Sequence, residues 1–233
     1  MFDSKFIRKS KFVPIHDLKD IVILGCDYTD IAFKKEMFVT YGIDLPYSLS
    51  NAVKKRQAEF LAGRITAIST LHDLGVSISN IPIGKHRSPL WPEGVVASIT
   101  HSNGIALCAA AYKVDYNYLG VDLECWIAKE TVQQIKYSII TPSEEYLLKQ
   151  CPLSFNKAFT LTFSAKESLF KALYPRVGYY FDFFAVEIIS LCIKSNCFVL
   201  ELRQELSTEL NKGCRFIGHI IFDGDFVQTL VVK

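Results

Sequence analysis

Two carboxylates stand two residues apart in an otherwise apolar stretch, Gly120–Glu124. If this stretch is a β-strand, the side chains of Asp122 and Glu124 project from the same face. Adjacent carboxylates in apolar surroundings repel each other and lose hydration unless a cation joins them. Oxygen ligands of this kind suit Mg²⁺ or a similar hard cation. A second interpretation stays open, in which both carboxylates reach water at a strand end.

An acid and a base, Glu167 and Lys171, are four residues apart, which places them on one face of a helix. Such a pair is usually an exposed ion pair that contributes only about 0.3–0.5 kcal/mol. Here Glu167 lies at the edge of an apolar stripe that includes Phe163 and Phe170. We therefore predict that Glu167 completes the Mg²⁺ site and that Lys171 neutralises a diphosphate held on the metal.

Basic residues and a histidine form a third group. The segment Ser98–Ser102 contains His101 among small side chains that leave room for a phosphate or a ribose, although a lone histidine at a strand end is more often structural. Arg56 and Arg64 lie about 80° apart around a helix, so both can border one groove. Lys85–Arg87 follows in a proline-rich loop. Each basic residue alone is also typical of a solvated surface.

These residues must be positioned by helices and strands that the local sequence predicts. The first half contains a strand at Ile21–Cys26 and a helix capped by Ser50 or Asn51 and ending at Gly75. It also contains strands at Val95–Thr100 and Ile105–Tyr112, joined by a tight turn at Ser102-Asn103-Gly104. The second half contains a strand at about Tyr118–Glu124, a capping box at Thr141–Glu144, a helix from about Phe155 to Leu173 that ends before Pro175, and a hairpin turn at Asp223-Gly224. A long helix followed by strands thus occurs twice. We predict an α+β fold of two similar halves, residues 1–113 and 114–233, with a ligand between them.

Composition restricts the classes of function. The net charge of +2 gives no overall basic field for nucleic acid. Seven cysteines without a CxxC pair indicate free, mostly buried thiols in a reducing compartment. Residues 1–10 lack the apolar core of a signal peptide, and the apolar runs elsewhere are too short to span a bilayer. We therefore expect a cytoplasmic protein without a transmembrane segment.

The motifs together resemble the 4′-phosphopantetheinyl transferases of the surfactin-synthetase-activating type, and most closely the enterobactin synthase component D branch. The matching segments follow the family order and are Arg56–Arg64, Pro89–Pro92, Ser98–Ser102, Gly120–Glu124 and Phe163–Lys171. Phe163 stands where the surfactin branch commonly has tryptophan. The resemblance rests on these segments, and none of them lies beyond residue 175.

The resemblance implies a function, a fold and a set of site residues. It implies transfer of phosphopantetheine from coenzyme A to a serine of an apo carrier protein, in a cleft between two halves with pseudo-twofold symmetry. The implied Mg²⁺ ligands are Asp122, Glu124 and Glu167, and the implied catalytic residues are Glu167 as base and Lys171 on the diphosphate. The implied coenzyme A contacts are Arg56, Arg64, Arg87, Ser98, Thr100, His101 and Lys171. A siderophore or nonribosomal peptide carrier is the expected partner, and two fused halves make a monomer the expected state.

Two rival functions are compatible with parts of the sequence. Carboxylates followed by a glutamate–lysine pair also occur in metal-dependent nucleases, but their lysine usually follows the acid by two residues on a strand. Here the spacing is four residues, in a helical context. A non-catalytic carrier-binding module of the same fold is the other rival. The presence of all three carboxylates together with Lys171 argues against lost chemistry.

Overall fold

The computed structural model describes residues 4–10 and 18–233. The chain divides into two compact units, Met1–Tyr116 and Asn117–Lys233. Each unit combines helices with an antiparallel sheet, which agrees with the predicted α+β class. The predicted halves, with their boundary after residue 113, stay a prediction. The prediction for residues 1–10 falls partly on residues 1–3, which lie outside the described residues.

The first unit is a four-stranded antiparallel sheet with one long helix packed on it. Its elements are β1 (Ile7–Ser10), β2 (Ile21–Tyr28), α1 (Met37–Thr40), α2 (Lys54–Asp73), β3 (Val95–Ser102) and β4 (Ile105–Tyr112). The strand order is β1-β2-β4-β3, and α2 packs mainly on β2 and β4. The β3–β4 turn at Asn103-Gly104 has positive φ at both residues, as the predicted tight turn requires.

The predicted cap of α2 is wrong, whereas its predicted end is correct. The N-cap is Val53, and no side chain caps the helix there. Ser50 belongs instead to the preceding 3₁₀ turn, where its hydroxyl donates to the carbonyl of Tyr47 at 2.8 Å. The helix ends beside Gly75, whose φ of +91° suits a glycine after a helix.

The second unit is a five-stranded antiparallel sheet with a long helix against one end of it. Its elements are β5 (Leu119–Cys125), α3 (Lys129–Ile135), α4 (Pro142–Lys149), α5 (Phe155–Val177), β6 (Val186–Cys192), β7 (Cys197–Leu202), β8 (Arg215–Asp223) and β9 (Phe226–Val232). The strand order is β5-β9-β8-β7-β6. Helix α5 packs chiefly on β5 and β9, so these two strands are the ones that set the position of its side chains.

The ends of α4 and α5 show where local sequence does and does not determine a helix. The capping box is confirmed, because Thr141 and Glu144 exchange side-chain and backbone hydrogen bonds around Pro142. The prediction that α5 ends before Pro175 is wrong: the helix continues through it to Val177 and ends at Gly178, in the left-handed conformation. A proline in the last turn removes one backbone donor, and packing of the preceding turns outweighs that loss.

Helix α5 approaches β5 unusually closely. A Cβ atom placed on Gly120 would lie 1.9 Å from the carbonyl oxygen of Ser168 and 2.6 Å from the amide nitrogen of Ala172. The hydroxyl of Ser168 lies 2.6 Å from the hydroxyl of Thr229 on β9, and that of Ser164 lies 2.9 Å from it. Backbone contact at the glycine and buried hydroxyls at β9 therefore fix the helix on the sheet.

The seven cysteines are all free, as predicted, but the prediction that most of them are buried is wrong, because only Cys26 and Cys108 are. Burial raises the pKa of Cys26 to about 11 and that of Cys108 to about 12. Cys192 is exposed, and hydrogen bonds from Ser195 hold its pKa below the usual thiol value. Within the described residues, no helix has both the length and the apolar character needed to cross a bilayer.

We expect iodoacetamide at pH 8 to alkylate Cys192 first and to leave Cys26 and Cys108 unmodified in the folded protein, because thiolates are the reactive species. Peptide mass spectrometry over time measures the order. In a Ser195→Ala variant the modification of Cys192 should slow, since its pKa would rise. Early modification of Cys108 would contradict the packing of β4.

Candidate active site

The two carboxylates of β5 lie on the face of the sheet that α5 covers. Asp122 pairs with Thr229 of β9, whose hydroxyl contacts α5, and Glu124 lies two residues further along the same face. The ammonium of Lys171 on α5 donates to Oδ1 of Asp122 at 2.6 Å and to the carbonyl of Val121 at 3.3 Å. The structure therefore brings Asp122, Glu124 and Lys171 together, from a strand and from the helix packed against it.

Glu167 belongs to the same electrostatic group. Burial raises the pKa of Glu124 to about 7, and the negative charges of Asp122 and Glu167 add to that effect while Lys171 opposes it. Burial likewise raises the pKa of Glu167, opposed by Lys171 and reinforced by Asp122. Three partly buried acids therefore interact electrostatically with one another, and Lys171 is the one positive charge among the groups that shift these pKa values. Such a set lacks positive charge.

The donor set fits a hard divalent cation. All three acids offer oxygen ligands, and a cation would stabilise the charged carboxylates against the burial and the mutual repulsion that raise the pKa values of Glu124 and Glu167. Across residues 4–10 and 18–233, however, no three acidic, histidine or cysteine side chains converge into a preformed metal cage. In this structure the compensating charge beside Asp122 is the Lys171 ammonium.

In the first unit, Arg56 and His101 are brought into contact. Nη1 of Arg56 lies 2.9 Å from Nε2 of His101 and 3.2 Å from Oε2 of Glu59. Because the guanidinium can only donate, Nε2 accepts here and the imidazole proton lies on Nδ1. Helix α2 and strand β3 thereby place a half-exposed arginine and a histidine side by side, within hydrogen-bond distance.

Arg64 differs from Arg56, because its side chain is almost completely buried. Only 4% of the residue is exposed, and among the described residues Nε has no hydrogen-bond partner. The guanidinium lies 4.9 Å from the ring centroid of Phe60, and burial lowers the pKa of Arg64 to about 10. The alternative of a solvated basic surface is therefore wrong for Arg64. A buried cation of this kind is stabilised by an incoming anion.

The other residues that the sequence predicts to contact coenzyme A lie in different surroundings. Ser98 and Thr100 are buried in β3, and by strand alternation they face away from the side that carries His101. Arg87 is exposed in a short 3₁₀ turn, Lys85–Arg87, where its φ is +66°. Gly63 in α2 lies close to Ile99 of β3, whose Cγ2 is 3.2 Å from an ideal Cβ on that glycine.

A cavity of about 220 Å³ lies beside Glu167. Its lining residues are Lys166, Glu167, Phe170, Tyr180, Phe181, Asp182, Phe183 and Val186. The rings of Phe170 and Tyr180 are stacked, with 5.5 Å between their centroids and 9° between their planes. The motifs did not predict this cavity, because half of its wall comes from the segment after α5. The only local signal for it is the run of aromatic residues from Tyr179 to Phe184.

Two family models match the chain. One, described as the 4′-phosphopantetheinyl transferase N-terminal domain, matches residues 46–111, and the other, the 4′-phosphopantetheinyl transferase superfamily, matches residues 118–213. The second match contains the Asp122, Glu124, Glu167 and Lys171 group. The first contains Arg56, Arg64 and His101.

Curated relatives match over part of their length. Enterobactin synthase component D of Salmonella typhi is 42% identical over 130 residues, which are 55% of this chain and 53% of the relative. The protein of that name from Escherichia coli (strain K12) is 42% identical over 53% of this chain and 58% of the relative. The 4′-phosphopantetheinyl transferase Svp of Streptomyces mobaraensis is 34% identical over 60% and 57%. The chain therefore spans a little over half the length of the curated relatives that it matches.

Proposed function

This chain belongs to the 4′-phosphopantetheinyl transferase superfamily, and we propose that it transfers phosphopantetheine from coenzyme A to a serine hydroxyl of an apo carrier protein. The main support is the coupled group formed by Asp122, Glu124, Glu167 and Lys171, which lies within the superfamily match. The enterobactin synthase component D relatives favour a carrier of siderophore or other nonribosomal peptide synthesis. The products are the holo carrier and 3′,5′-ADP.

The residues of the second unit would carry the chemistry. The serine oxygen attacks the phosphorus that bears the pantetheine arm, and the bond from that phosphorus to the bridging oxygen of the diphosphate breaks. Glu167 accepts the serine proton, directly or through water. Lys171 leaves Asp122 for the diphosphate and stabilises the charge that develops on the leaving 3′,5′-ADP. Asp122, Glu124 and Glu167 would hold Mg²⁺, which supplies charge neutralisation at the diphosphate when bound.

The residues of the first unit would bind the rest of coenzyme A. We assign Arg56, Arg64 and His101 to the 3′-phosphate and the diphosphate, together with Arg87. The buried hydroxyls of Ser98 and Thr100 would lie near the adenosine. One coenzyme A molecule would then use both units, in a cleft between halves related by pseudo-twofold symmetry. We also propose that the protein acts as a monomer in the cytoplasm.

One mixture tests the proposed function. Purified protein is incubated with Mg²⁺, coenzyme A and an apo carrier protein, and the intact mass of the carrier is measured over time. The expected result is a gain of one phosphopantetheine group that depends on the carrier serine. A serine-to-alanine carrier is the matched control. No gain across aryl, peptidyl and acyl carriers would contradict the proposed function.

The rival functions give different results with the same protein. A metal-dependent nuclease would cut plasmid DNA in the presence of Mg²⁺, and a non-catalytic module would bind the carrier without changing its mass. Binding of the apo carrier, measured by calorimetry without coenzyme A, separates the module from an enzyme that was merely given the wrong carrier.

Arg64 provides a test of the coenzyme A subsite. We expect Arg64→Met to raise the KM for coenzyme A by about tenfold or more, because a desolvated guanidinium–phosphate contact is lost. In the absence of coenzyme A the same variant should be more stable than the parent by about 1 kcal/mol, because a buried charge has been removed. Steady-state kinetics and thermal unfolding measure the two effects.

Arg56→Met is the control for the stability effect. The side chain of Arg56 is 39% exposed and already pairs with Glu59, so no comparable gain in stability is expected. An Arg64→Met protein that is no more stable than the parent and binds coenzyme A equally well would exclude Arg64 from the phosphate site.

A further inference from the structure

A second charged group lies next to the proposed catalytic group but takes no part in its chemistry. Lys166 precedes Glu167 on α5, and only 2% of it is exposed. Its ammonium donates three hydrogen bonds, to Oε2 of Glu144 at 2.8 Å and to the carbonyls of Ile139 and Phe183, both at 2.9 Å. All three of its donors are therefore used inside the protein.

Glu144 is equally committed, and it is completely buried. Its Oε1 accepts the amide of Ile188 on β6 at 2.8 Å, and its Oε2 accepts the amide of Thr141 at 2.9 Å. The Lys166–Glu144 pair thus joins α5 to the start of α4, to strand β6 and to the segment that contains Phe183. Burying such a pair costs free energy, and its hydrogen bonds offset that cost only when the geometry is satisfied.

The carbonyl of Phe183 is the contact with a functional consequence. Residues 180–183 form the wall of the cavity that faces Phe170 and Glu167. Two polar contacts hold the end of this wall: Lys166 donates to the carbonyl of Phe183, and Asp182 caps the following 3₁₀ turn, Phe183–Ala185. Ring contacts with Phe163 and Phe170 of α5 pack the rest of the wall against the helix. Lys166 lines the same cavity next to Glu167, but its three N–H donors are taken by Glu144 and by the carbonyls of Ile139 and Phe183.

We propose that the Lys166–Glu144 ion pair positions the wall formed by residues 180–183, and so sets the width of the space beside Glu167 in which the substrates react. The role in the reaction rests on the proposed function, whereas the attachment of the wall does not. Lys166 is a positioning residue and makes no contact with reacting atoms.

The ion pair acts separately from the group of acids. Helix α5 docks on β5 and β9 through Gly120, Ser168 and Thr229, which lie on the sheet side of the helix. That contact holds Glu167 and Lys171 near Asp122 whether or not the wall is attached. Loss of the ion pair should therefore change how substrates fit rather than the chemical step.

The test uses a double variant, Lys166→Met with Glu144→Gln. Lys166→Met alone would leave a buried carboxylate without its partner and could fail to fold. Glutamine at position 144 removes the charge, and its one carbonyl oxygen can still accept the amide of Thr141, which keeps the capping box. Only the hydrogen bond from the Ile188 amide is lost, so the double variant should fold. Lys149→Met is the matched control, because this lysine forms an exposed ion pair with Glu145.

Hydrogen exchange measures the attachment of the wall without any substrate. The amides of residues 180–186 should exchange about tenfold faster in the double variant, the effect of losing one or two net hydrogen bonds. Amides of β7, β8 and β9 should exchange as in the parent, and Lys149→Met should change neither region. Unchanged exchange at 180–186, or an equal increase throughout the second unit, would overturn the proposal.

Steady-state transfer then tests the role of the wall. We expect the KM for coenzyme A or for the carrier to rise by about tenfold while kcat stays within about twofold of the parent. A faster-exchanging wall with both KM values unchanged would overturn the positioning role. Absence of any transfer in the parent would instead contradict the proposed function and leave the exchange result to decide on the attachment.

Discussion

Replacing Glu167 by glutamine is expected to lower kcat for transfer by about a thousandfold, because the amide can neither accept the serine proton nor bind a cation as a carboxylate does. The fold should be retained or become slightly more stable, since burial already disfavours the charged form and raises the pKa of this acid. Intact-mass time courses of the carrier measure the rate, and thermal unfolding measures the fold.

The matched control is Glu145→Gln in the same unit. Glu145 forms ion pairs with Lys136 and Lys149 and is not one of the acids of the proposed site, so it has no role in the proposed reaction. Its rate of transfer should stay within about twofold of the parent, as expected for a residue outside the site. Substantial activity in Glu167→Gln, with the fold intact, would show that neither the base nor a required ligand lies at this position.

The parts of the fold that sequence predicted correctly depend on neighbouring residues. Thr141 and Glu144 are three residues apart and form their capping box through local hydrogen bonds, so the start of α4 was predictable. The Asn103-Gly104 turn follows in the same way from the two residues that adopt positive φ. Local sequence rules failed where packing between residues distant in sequence determines the structure. An example is α5, which continues through Pro175 although proline usually ends a helix.

The same distinction holds for the candidate site. Strand alternation predicted that Asp122 and Glu124 share a face, and helical spacing predicted that Glu167 and Lys171 do. The observed partner of Lys171 is Asp122, 49 positions away on another element, which spacing could not reveal. Spacing also could not reveal that Glu144, which belongs to the capping box of α4, forms an ion pair with the buried Lys166 of α5. Such contacts depend on the docking of α5 on the sheet.

That docking leads to the second large prediction: Gly120→Ala should destabilise the protein by about 3 kcal/mol or more, because the new methyl group meets backbone rather than a movable side chain. The carbonyl of Ser168 and the amide of Ala172 would have to retreat, and α5 with them. Any Gly120→Ala protein that still folds should also transfer phosphopantetheine poorly, since moving α5 separates Lys171 and Glu167 from Asp122. Urea unfolding and the carrier mass assay measure the two effects.

Gly63→Ala is the control, because it adds the same methyl group to a glycine in the long helix of the other unit. There the nearest atom is the side-chain Cγ2 of Ile99 at 3.2 Å, which can shift slightly. Alanine also favours the helix by about 1 kcal/mol over glycine, so the net change should be small. If Gly120→Ala were as stable and as active as Gly63→Ala, α5 could not lie against β5 as closely as it does here. The strand and helix carboxylates would then lack the scaffold that brings them together.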